Sequence, residues 1–153
     1  MYGWEIADII LNLPINSMNF AGTYCINDLN YLQLWLKEDS VAVVNTDPLD
    51  QPGSHWFTVN RLGKENHFEI FDPLGFPSYK TQLVAFFAIN SFIYNNYPVQ
   101  ASWSGSCGLF CAIYTIYKLY NAEVSLNDLL CILFDKVNLL FNETFVREFV
   151  QSL

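Results

Sequence analysis

The sequence predicts an α+β fold, in which a small, mainly antiparallel sheet is packed with helices. The middle of the chain has two runs rich in β-branched and aromatic residues, His55 to Leu62 and Asn66 to Asp72, separated by a short turn. This pattern is typical of a β-hairpin. The first and last parts of the chain instead repeat apolar residues every three or four positions, which is typical of amphipathic helices. Helices and strands segregated in this way form α+β domains.

Length, composition and charge indicate one domain over residues 1–153 and limit its partners. The 153 residues are 52% hydrophobic, which is enough apolar surface for a single core. Seven basic and fifteen acidic residues give a net charge of -8, so few cations are available to neutralise phosphates and DNA is not an expected partner. Every apolar stretch is shorter than the roughly 18 residues that span a membrane, so no membrane association is expected.

Local patterns assign the individual elements. A first helix is predicted where Ile6, Ile9 and Ile10 share one face, ahead of Pro14. The β-branched run Val41 to Asn45 predicts a strand. Further helices are predicted at Leu83 to Tyr94, at Leu109 to Leu119, at Leu129 to Phe134 behind a capping box that starts at Ser125, and after a cap at Asn142.

The hairpin gives the first geometric prediction. Gly63-Lys64 fits a two-residue turn, and a turn centred there pairs residues whose numbers sum to 127. His55 then lies across from Asp72, with Cβ atoms about 5 Å apart. A carboxylate that faces an imidazole fixes its tautomer and stabilises the imidazolium, as a general base requires. An ordinary surface ion pair is the commoner explanation of such a hairpin end.

A cysteine lies where a polar loop becomes a predicted helix, in Gly105-Ser106-Cys107-Gly108-Leu109. Backbone N–H groups and the positive end of the helix dipole beside the sulfur favour the thiolate. Cys107 is therefore the candidate nucleophile. Cys111, one turn later, is more simply a buried small residue than a metal or redox ligand. The four cysteines show no disulfide framework, which favours a reducing compartment.

Six short blocks occur in a fixed order along the chain. They are Phe20-Ala21-Gly22-Thr23-Tyr24, Ala42-Val43-Val44-Asn45-Thr46, His55-Trp56, Phe71-Asp72-Pro73-Leu74-Gly75-Phe76, Gln100 and Cys107-Gly108-Leu109-Phe110-Cys111. These blocks and their order resemble the adenovirus endopeptidase family, adenain, over most of residues 5 to 117. The resemblance implies an adenain-like cysteine protease fold.

The resemblance also implies a role for individual residues. His55 takes the place of the general base, and Asp72 that of its acidic partner, where the family commonly has Glu. Cys107 matches the nucleophile, and Gln100 matches the glutamine whose amide helps to form the oxyanion hole. The implied catalytic residues are therefore His55, Asp72, Gln100 and Cys107. Neither a metal nor another cofactor is implied.

Residues beside the catalytic positions are expected to bind substrate. Trp56 follows the base and Gly108 follows the nucleophile, although a core position is an equally good explanation of Trp56. The resemblance implies a cysteine endopeptidase that cuts viral precursor or capsid proteins near small residues such as Gly. It implies a location in the virion or in the nucleus or cytoplasm of the infected cell. The family's activating peptide is a further expected partner, but no cysteine lies between Asp72 and Gln100 to attach it by a disulfide.

Two other functions remain open. The wider clan includes proteases that process SUMO or ubiquitin-like modifiers with the same residue types. In those the Gln typically precedes the Cys by six positions, whereas Gln100 precedes Cys107 by seven, as in adenain. The second alternative is an inactive relative that serves as a binding scaffold, which would have no chemical need for all four catalytic residues.

Overall fold

The computed structural model describes residues 1–14, 19–29, 31–32, 36–47, 54–75 and 90–153. Within these ranges a five-stranded sheet packs against helices on one face and against a 3-10 turn and buried leucines that follow it on the other. The elements, in chain order, are α1 (Gly3–Leu11), β1 (Asn19–Cys25), a 3-10 turn (Ile26–Asp28), β2 (Ser40–Asn45), β3 (Trp56–Leu62), β4 (His67–Phe71), β5 (Ser91–Tyr94), α2 (Cys107–Tyr120), α3 (Leu126–Leu133) and α4 (Leu139–Gln151).

The sheet has the strand order β1-β2-β3-β4-β5. The two central pairings, β2 with β3 and β3 with β4, are antiparallel, and the two outer pairings are parallel. The predicted α+β class is confirmed, and the antiparallel centre agrees with the predicted hairpin. The parallel edges depend on long connections between distant segments, and local hydrophobic patterns carry no information about them.

The β3–β4 hairpin forms, but its register differs from the predicted one. Thr58 pairs with Phe71 and Leu62 pairs with His67, so paired numbers sum to 129 and not to 127. The loop therefore spans the four residues 63–66 in place of a two-residue turn. Because side chains alternate between the two faces of a strand, a change of two positions leaves every residue on the predicted face.

The central strand β2 is buried on both faces. Val41 and Val43 pack against α1 and α2. Ala42 and Val44 lie on the opposite face and pack into a second cluster, which includes Ile26 of the 3-10 turn. Burial on both sides explains the continuous apolar run of this strand. A third cluster joins α2, α3 and α4. Cys107, at the amino end of α2, packs between the sheet and α1.

Most predicted helices are present at the expected places. α1 buries Ile6 and Ile10, and the predicted cap of α3 is confirmed because Ser125 Oγ accepts a hydrogen bond from the Asp128 N–H at 3.2 Å. In the described part of the chain, no helix has both the length and the apolar character needed to cross a membrane.

Two helix predictions are wrong in detail. Residues 91–94 form strand β5 and not the end of a helix, and residues 83–89 of that predicted helix lie outside the described residues. The last helix begins earlier than predicted, because its cap is Asn138, whose side chain accepts from the Phe141 N–H. Asn142 lies inside α4, and its buried amide instead contacts Val99 and Asp135.

Candidate active site

His55 and Asp72 meet at one end of the hairpin, just outside the paired strands. Asp72 is fully buried, and its Oδ1 accepts a hydrogen bond from His55 Nε2 at 3.0 Å and from the Leu74 N–H at 2.8 Å. An ionised carboxylate only accepts hydrogen bonds, so the Nε2 atom carries the hydrogen. The contact with Asp72 uses Nε2, so Nδ1 lies on the other side of the imidazole ring.

Cys107 is the first residue of α2, and its side chain lies close enough to the His55 ring to raise the pKa of that ring. Burial lowers the pKa of His55, but the hydrogen bonds and charges of Asp72 and Cys107 outweigh this effect and raise the pKa to about 9. The ring is therefore protonated at neutral pH. A cationic histidine beside a cysteine is the arrangement in which cysteine nucleophiles are activated.

The start of α2 supplies a second polar feature. The first N–H groups of a helix have no partner inside the helix, so the Cys107 N–H is a donor available beside its own sulfur. Gly108 is buried under α1, since a Cβ on this residue would lie 2.5 Å from Met1 Sδ and 3.2 Å from Ile6 Cδ1. Gly108 thus lets α1 pack closely across the start of α2, and its predicted role in substrate binding stays a prediction.

Gln100 lies on the segment that leads to Cys107, and only 2% of its surface is exposed. Its Nε2 donates a hydrogen bond to the Ser104 carbonyl oxygen at 2.6 Å. An amide nitrogen carries two hydrogens, so one remains for another acceptor. The backbone N–H groups of Val99 and Gln100 both donate to Pro73 O, at 2.9 and 3.0 Å. These bonds join the segment before the nucleophile to the turn that follows Asp72.

Asn95 is also part of this arrangement, although the sequence does not predict a role for it. Its Oδ1 accepts from the Asp72 N–H at 2.8 Å, and its Nδ2 donates to the Asp72 carbonyl at 2.7 Å and to Tyr97 O at 3.1 Å. Asn95 therefore fixes the backbone that presents the carboxylate to His55. Its only sequence signal is an Asn after a short β-rich run, which is common in ordinary turns.

Trp56 packs in the core and also borders a cavity. Only 3% of its surface is exposed, and it lies in the same apolar cluster as Cys107. A cavity of about 520 Å³ lies between α1 and β1, with Asn45 and Trp56 in its lining. The lining of this cavity includes none of the four candidate catalytic residues. Trp56 is thus a core residue, and its predicted role in substrate binding stays a prediction.

The remaining thiols differ from Cys107 in their surroundings. Cys111 is fully buried, and burial, reinforced by the charges of Cys107 and Asp72, raises its pKa well above the usual value. Cys111 is thus held as a neutral thiol. Cys131 is exposed, and all four cysteines are free. Among the described residues, no group of three or more His, Cys, Asp or Glu side chains could hold a metal ion.

The sheet, the cysteine at the start of a buried helix and the adjacent histidine define a cysteine protease fold. The fold is similar to that of ChlaDub1 from Chlamydia trachomatis, with a TM-score of 0.52 and 16% identity over 96% of this chain and 72% of that one. It is also similar to an ASFV protease, with a TM-score of 0.51 and 16% identity over 82% of this chain and 57% of that one.

Sequence similarity identifies the family within this class. The adenovirus endoprotease family matches residues 20–146, and the chain belongs to that family, which confirms the resemblance found in the sequence. The chain is 32% identical to the protease of Ovine adenovirus D serotype 7 over 72% of its own length and 61% of the relative. It is 29% identical to the protease of Bovine adenovirus 4 over 82% of its length and 69% of that relative. Against the Bovine adenovirus 7 protease, it is 36% identical over 50% of its length and spans 46% of the relative.

Proposed function

We propose that the chain is a cysteine endopeptidase that cleaves viral precursor or capsid proteins near small residues such as glycine. The observation that carries the proposal is the 3.0 Å hydrogen bond between Asp72 and His55, together with a Cys107 side chain close enough to raise the pKa of the His55 ring. Family membership supports it. Gln100, seven residues before the nucleophile, supplies the fourth residue of the proposed catalytic set.

The proposed reaction has two steps. The Cys107 thiolate attacks the carbonyl carbon and forms a C–S bond, and the His55 imidazolium gives its Nδ1 proton to the leaving amine as the C–N bond breaks. In the second step, neutral His55 takes a proton from water. The resulting hydroxide attacks the thioester, and breaking of the C–S bond restores the thiolate and imidazolium. Asp72 holds the ring in the orientation that both proton transfers need.

The developing negative charge on the carbonyl oxygen needs fixed donors. We assign this role to the second N–H of the Gln100 amide and to the Cys107 backbone N–H. Fixed donors of this kind do not have to reorganise during the reaction, and loss of one costs about 10²- to 10³-fold in rate.

Membership of the adenovirus endoprotease family supports the proposed cleavage beside small residues. We also propose that the protein acts in the virion or the infected cell and that an activating peptide is a partner. Residues 73–99 contain no cysteine, so the peptide forms no disulfide with this segment.

The test is mass-spectrometric profiling of a peptide library cleaved by the wild-type chain or by Cys107→Ala, with and without candidate activating peptides. We expect cleavage beside small residues by the wild-type chain only. A reporter with a SUMO or ubiquitin C-terminus in the same assay identifies the alternative, a modifier protease. Equal profiles for the wild-type chain and Cys107→Ala would contradict any peptidase function of this site.

Thiol labelling tests the nucleophile separately from the substrate. We expect iodoacetamide to alkylate Cys107 faster than Cys131 at neutral pH, although Cys107 is 5% exposed and Cys131 is exposed. The physical reason is that the thiolate is the reactive form, and the His55 imidazolium stabilises it. Cys25 is the matched control, since it is buried to a similar degree and its pKa is raised by burial and by Asp28. Labelling of Cys107 no faster than that of Cys25 would contradict the assignment.

A further inference from the structure

We infer that Glu143 on α4 is a positioning residue for the oxyanion hole, because it holds the loop that carries both proposed oxyanion donors. The inference deepens the proposed peptidase function and rests on it. Glu143 lies far along the chain from the catalytic residues, in a helix that begins at Leu139 and has no part in the proposed chemical steps.

Glu143 is a buried carboxylate with both oxygens engaged by this loop. Only 3% of its surface is exposed. Its Oε1 accepts a hydrogen bond from the Ala101 N–H at 3.1 Å, and its Oε2 accepts from the Ser104 hydroxyl at 2.7 Å. A charged acceptor forms stronger hydrogen bonds than a neutral one, so these two contacts fix the loop at two places.

Ser104 extends the influence of Glu143 to both proposed donors. The Ser104 carbonyl accepts the hydrogen bond from Gln100 Nε2 at 2.6 Å, which orients the amide. The Ser104 hydroxyl oxygen accepts from the Ser106 N–H at 3.1 Å, and Ser106 is the residue that caps α2 immediately before Cys107. The Glu143 carboxylate therefore fixes the position of the Gln100 amide, which is the side-chain donor. It also fixes Ser106, whose peptide directly precedes the backbone donor of Cys107.

Two neighbours on α4 support the same loop at its ends. Asn142 Nδ2 donates to the Val99 carbonyl at 2.9 Å, just before Gln100. Arg147 Nη2 donates to Ser106 Oγ at 3.4 Å, just before Cys107. The helix thus contacts the start, the middle and the end of the segment between the glutamine and the cysteine. Glu143 provides the central and doubly bonded contact.

This position predicts a specific kinetic effect. Glu143 touches none of the reacting atoms, so its loss leaves the His55–Cys107 pair intact but lets the oxyanion donors move. A displacement of about 1 Å in a catalytic group can cost about 10²-fold in rate. The effect belongs to the transition state, and hence to kcat, because the donors meet an oxygen whose charge develops only there.

The experiment compares Glu143→Ala, Glu143→Gln and Ser104→Ala with the control Glu148→Ala, an exposed glutamate on the same helix. We expect Glu143→Ala to lower kcat on a cleaved peptide by about 10- to 100-fold while KM stays within about threefold. Glu143→Gln keeps one carbonyl acceptor and should recover most of this loss. Ser104→Ala should give an intermediate loss, since Ser104 keeps its backbone carbonyl. Alkylation of Cys107 by iodoacetamide, which needs no oxyanion donor, should stay within about twofold in all variants.

Several outcomes would overturn the inference. One is a kcat for folded Glu143→Ala within about twofold of wild type. Another is a parallel loss of kcat and of the Cys107 alkylation rate, which would mean that Glu143 supports the whole site. If Glu143→Ala does not fold, the kcat and the Cys107 alkylation rate of Ser104→Ala test the inference by the same criteria. Wild-type protein that cleaves no peptide contradicts the proposed function, whereas full activity of both Glu143→Ala and Ser104→Ala contradicts only this inference.

Discussion

His55 is held between two groups that both favour its protonated form. Asp72 and Cys107 raise its pKa from 6.5 to about 9 against the opposing effect of burial. A pKa that is higher in the folded chain than in the unfolded chain stabilises the fold fully below about pH 6.5, and this contribution is lost as the pH rises through about 9. The same titration removes the proton that the leaving amine needs, so the proposed activity declines over the same range.

The pH profile tests the coupling between Asp72 and His55. For the wild type we expect kcat/KM to fall on the alkaline side with an apparent pKa of about 9. Asp72→Asn removes the negative charge, so this alkaline limb should shift to lower pH, and kcat/KM at neutral pH should fall by about 10²-fold or more. The measurement is kcat/KM against pH for the two proteins.

Asp8→Asn is the matched control for this profile, because Asp8 is an exposed aspartate on α1. The control should leave both the rate and the alkaline limb unchanged. An Asp72→Asn profile that superimposes on the wild-type alkaline limb would show that the carboxylate does not set the pKa of His55.

Residues with local sequence signals could be identified before the structure, and residues that act across the fold could not. The position of Cys107 between a polar loop and a helix can be predicted from local sequence. The same is true of His55 and Asp72, which lie at the ends of two predicted strands. Glu143 contacts Ala101 across 42 positions of sequence, and Asn95 lies 23 positions from Asp72. No local pattern encodes contacts of that range.

At the scale of elements, the turn after β4 and the segment before Gln100 are packed backbone to backbone. Gly75 has φ +83°, and a Cβ on it would lie 2.3 Å from Pro98 N and 2.6 Å from Tyr97 O. The Gly75 N–H also donates to the Asp72 carbonyl at 2.9 Å. A glycine is needed here both for the left-handed conformation and for the close approach. This contact connects the turn after Asp72 to the segment that leads to Gln100.

We expect Gly75→Ala to lower the free energy of unfolding and to reduce activity together. The strained conformation alone costs about 1–3 kcal/mol. The clash adds to this cost because the atoms in the way belong to the backbone of Tyr97 and Pro98, which cannot move aside as a flexible side chain can. Urea unfolding and peptide cleavage measure the two effects.

Gly63→Ala separates conformation from close approach. Gly63 also has a positive φ, +61°, in the hairpin loop, but nothing lies within 4 Å of an added Cβ. This variant should lose only the conformational part, about 1 kcal/mol, and keep its activity. Equal losses of stability in the two variants would contradict the close-packing explanation for Gly75.

Element type could be predicted more securely than element pairing. The hairpin was recognised from β-rich runs on either side of Gly63, but the four-residue loop moved the register by two positions. The aromatic spacing that suggested a helix through Tyr94 ends in strand β5, which pairs in parallel with β4. Pairing with a neighbouring strand decided the conformation of residues 91–94, and propensity alone does not include that contribution.

At the scale of the whole molecule, a buried ion pair joins the sheet to two helices. Lys118 on α2 and Glu69 on β4 are both about 1% exposed at their side chains, with Nζ and Oε1 2.7 Å apart. Glu69 also accepts hydrogen bonds from Asn60 Nδ2 at 2.9 Å and from the Leu126 N–H at the start of α3 at 2.6 Å. Lys118 Nζ further donates to the Val124 carbonyl. This ion pair thus joins β4, which directly precedes Asp72, to α2, which begins at Cys107.

Removing only one of these charges should be more damaging than neutralising both. Lys118→Met leaves Glu69 as an uncompensated buried charge, and we expect a loss of about 3–5 kcal/mol in the free energy of unfolding, measured with urea at pH 7. The double variant Glu69→Gln/Lys118→Met removes both charges and keeps a carbonyl acceptor for the Leu126 N–H, so it should be more stable than Lys118→Met alone. Lys64→Met, at an exposed position of the hairpin loop, is the control and should change stability by no more than about 0.5 kcal/mol. A double variant less stable than Lys118→Met would show that hydrogen bonds of the Glu69 carboxylate, and not compensation of its charge by Lys118, dominate this contact between the sheet and the helices.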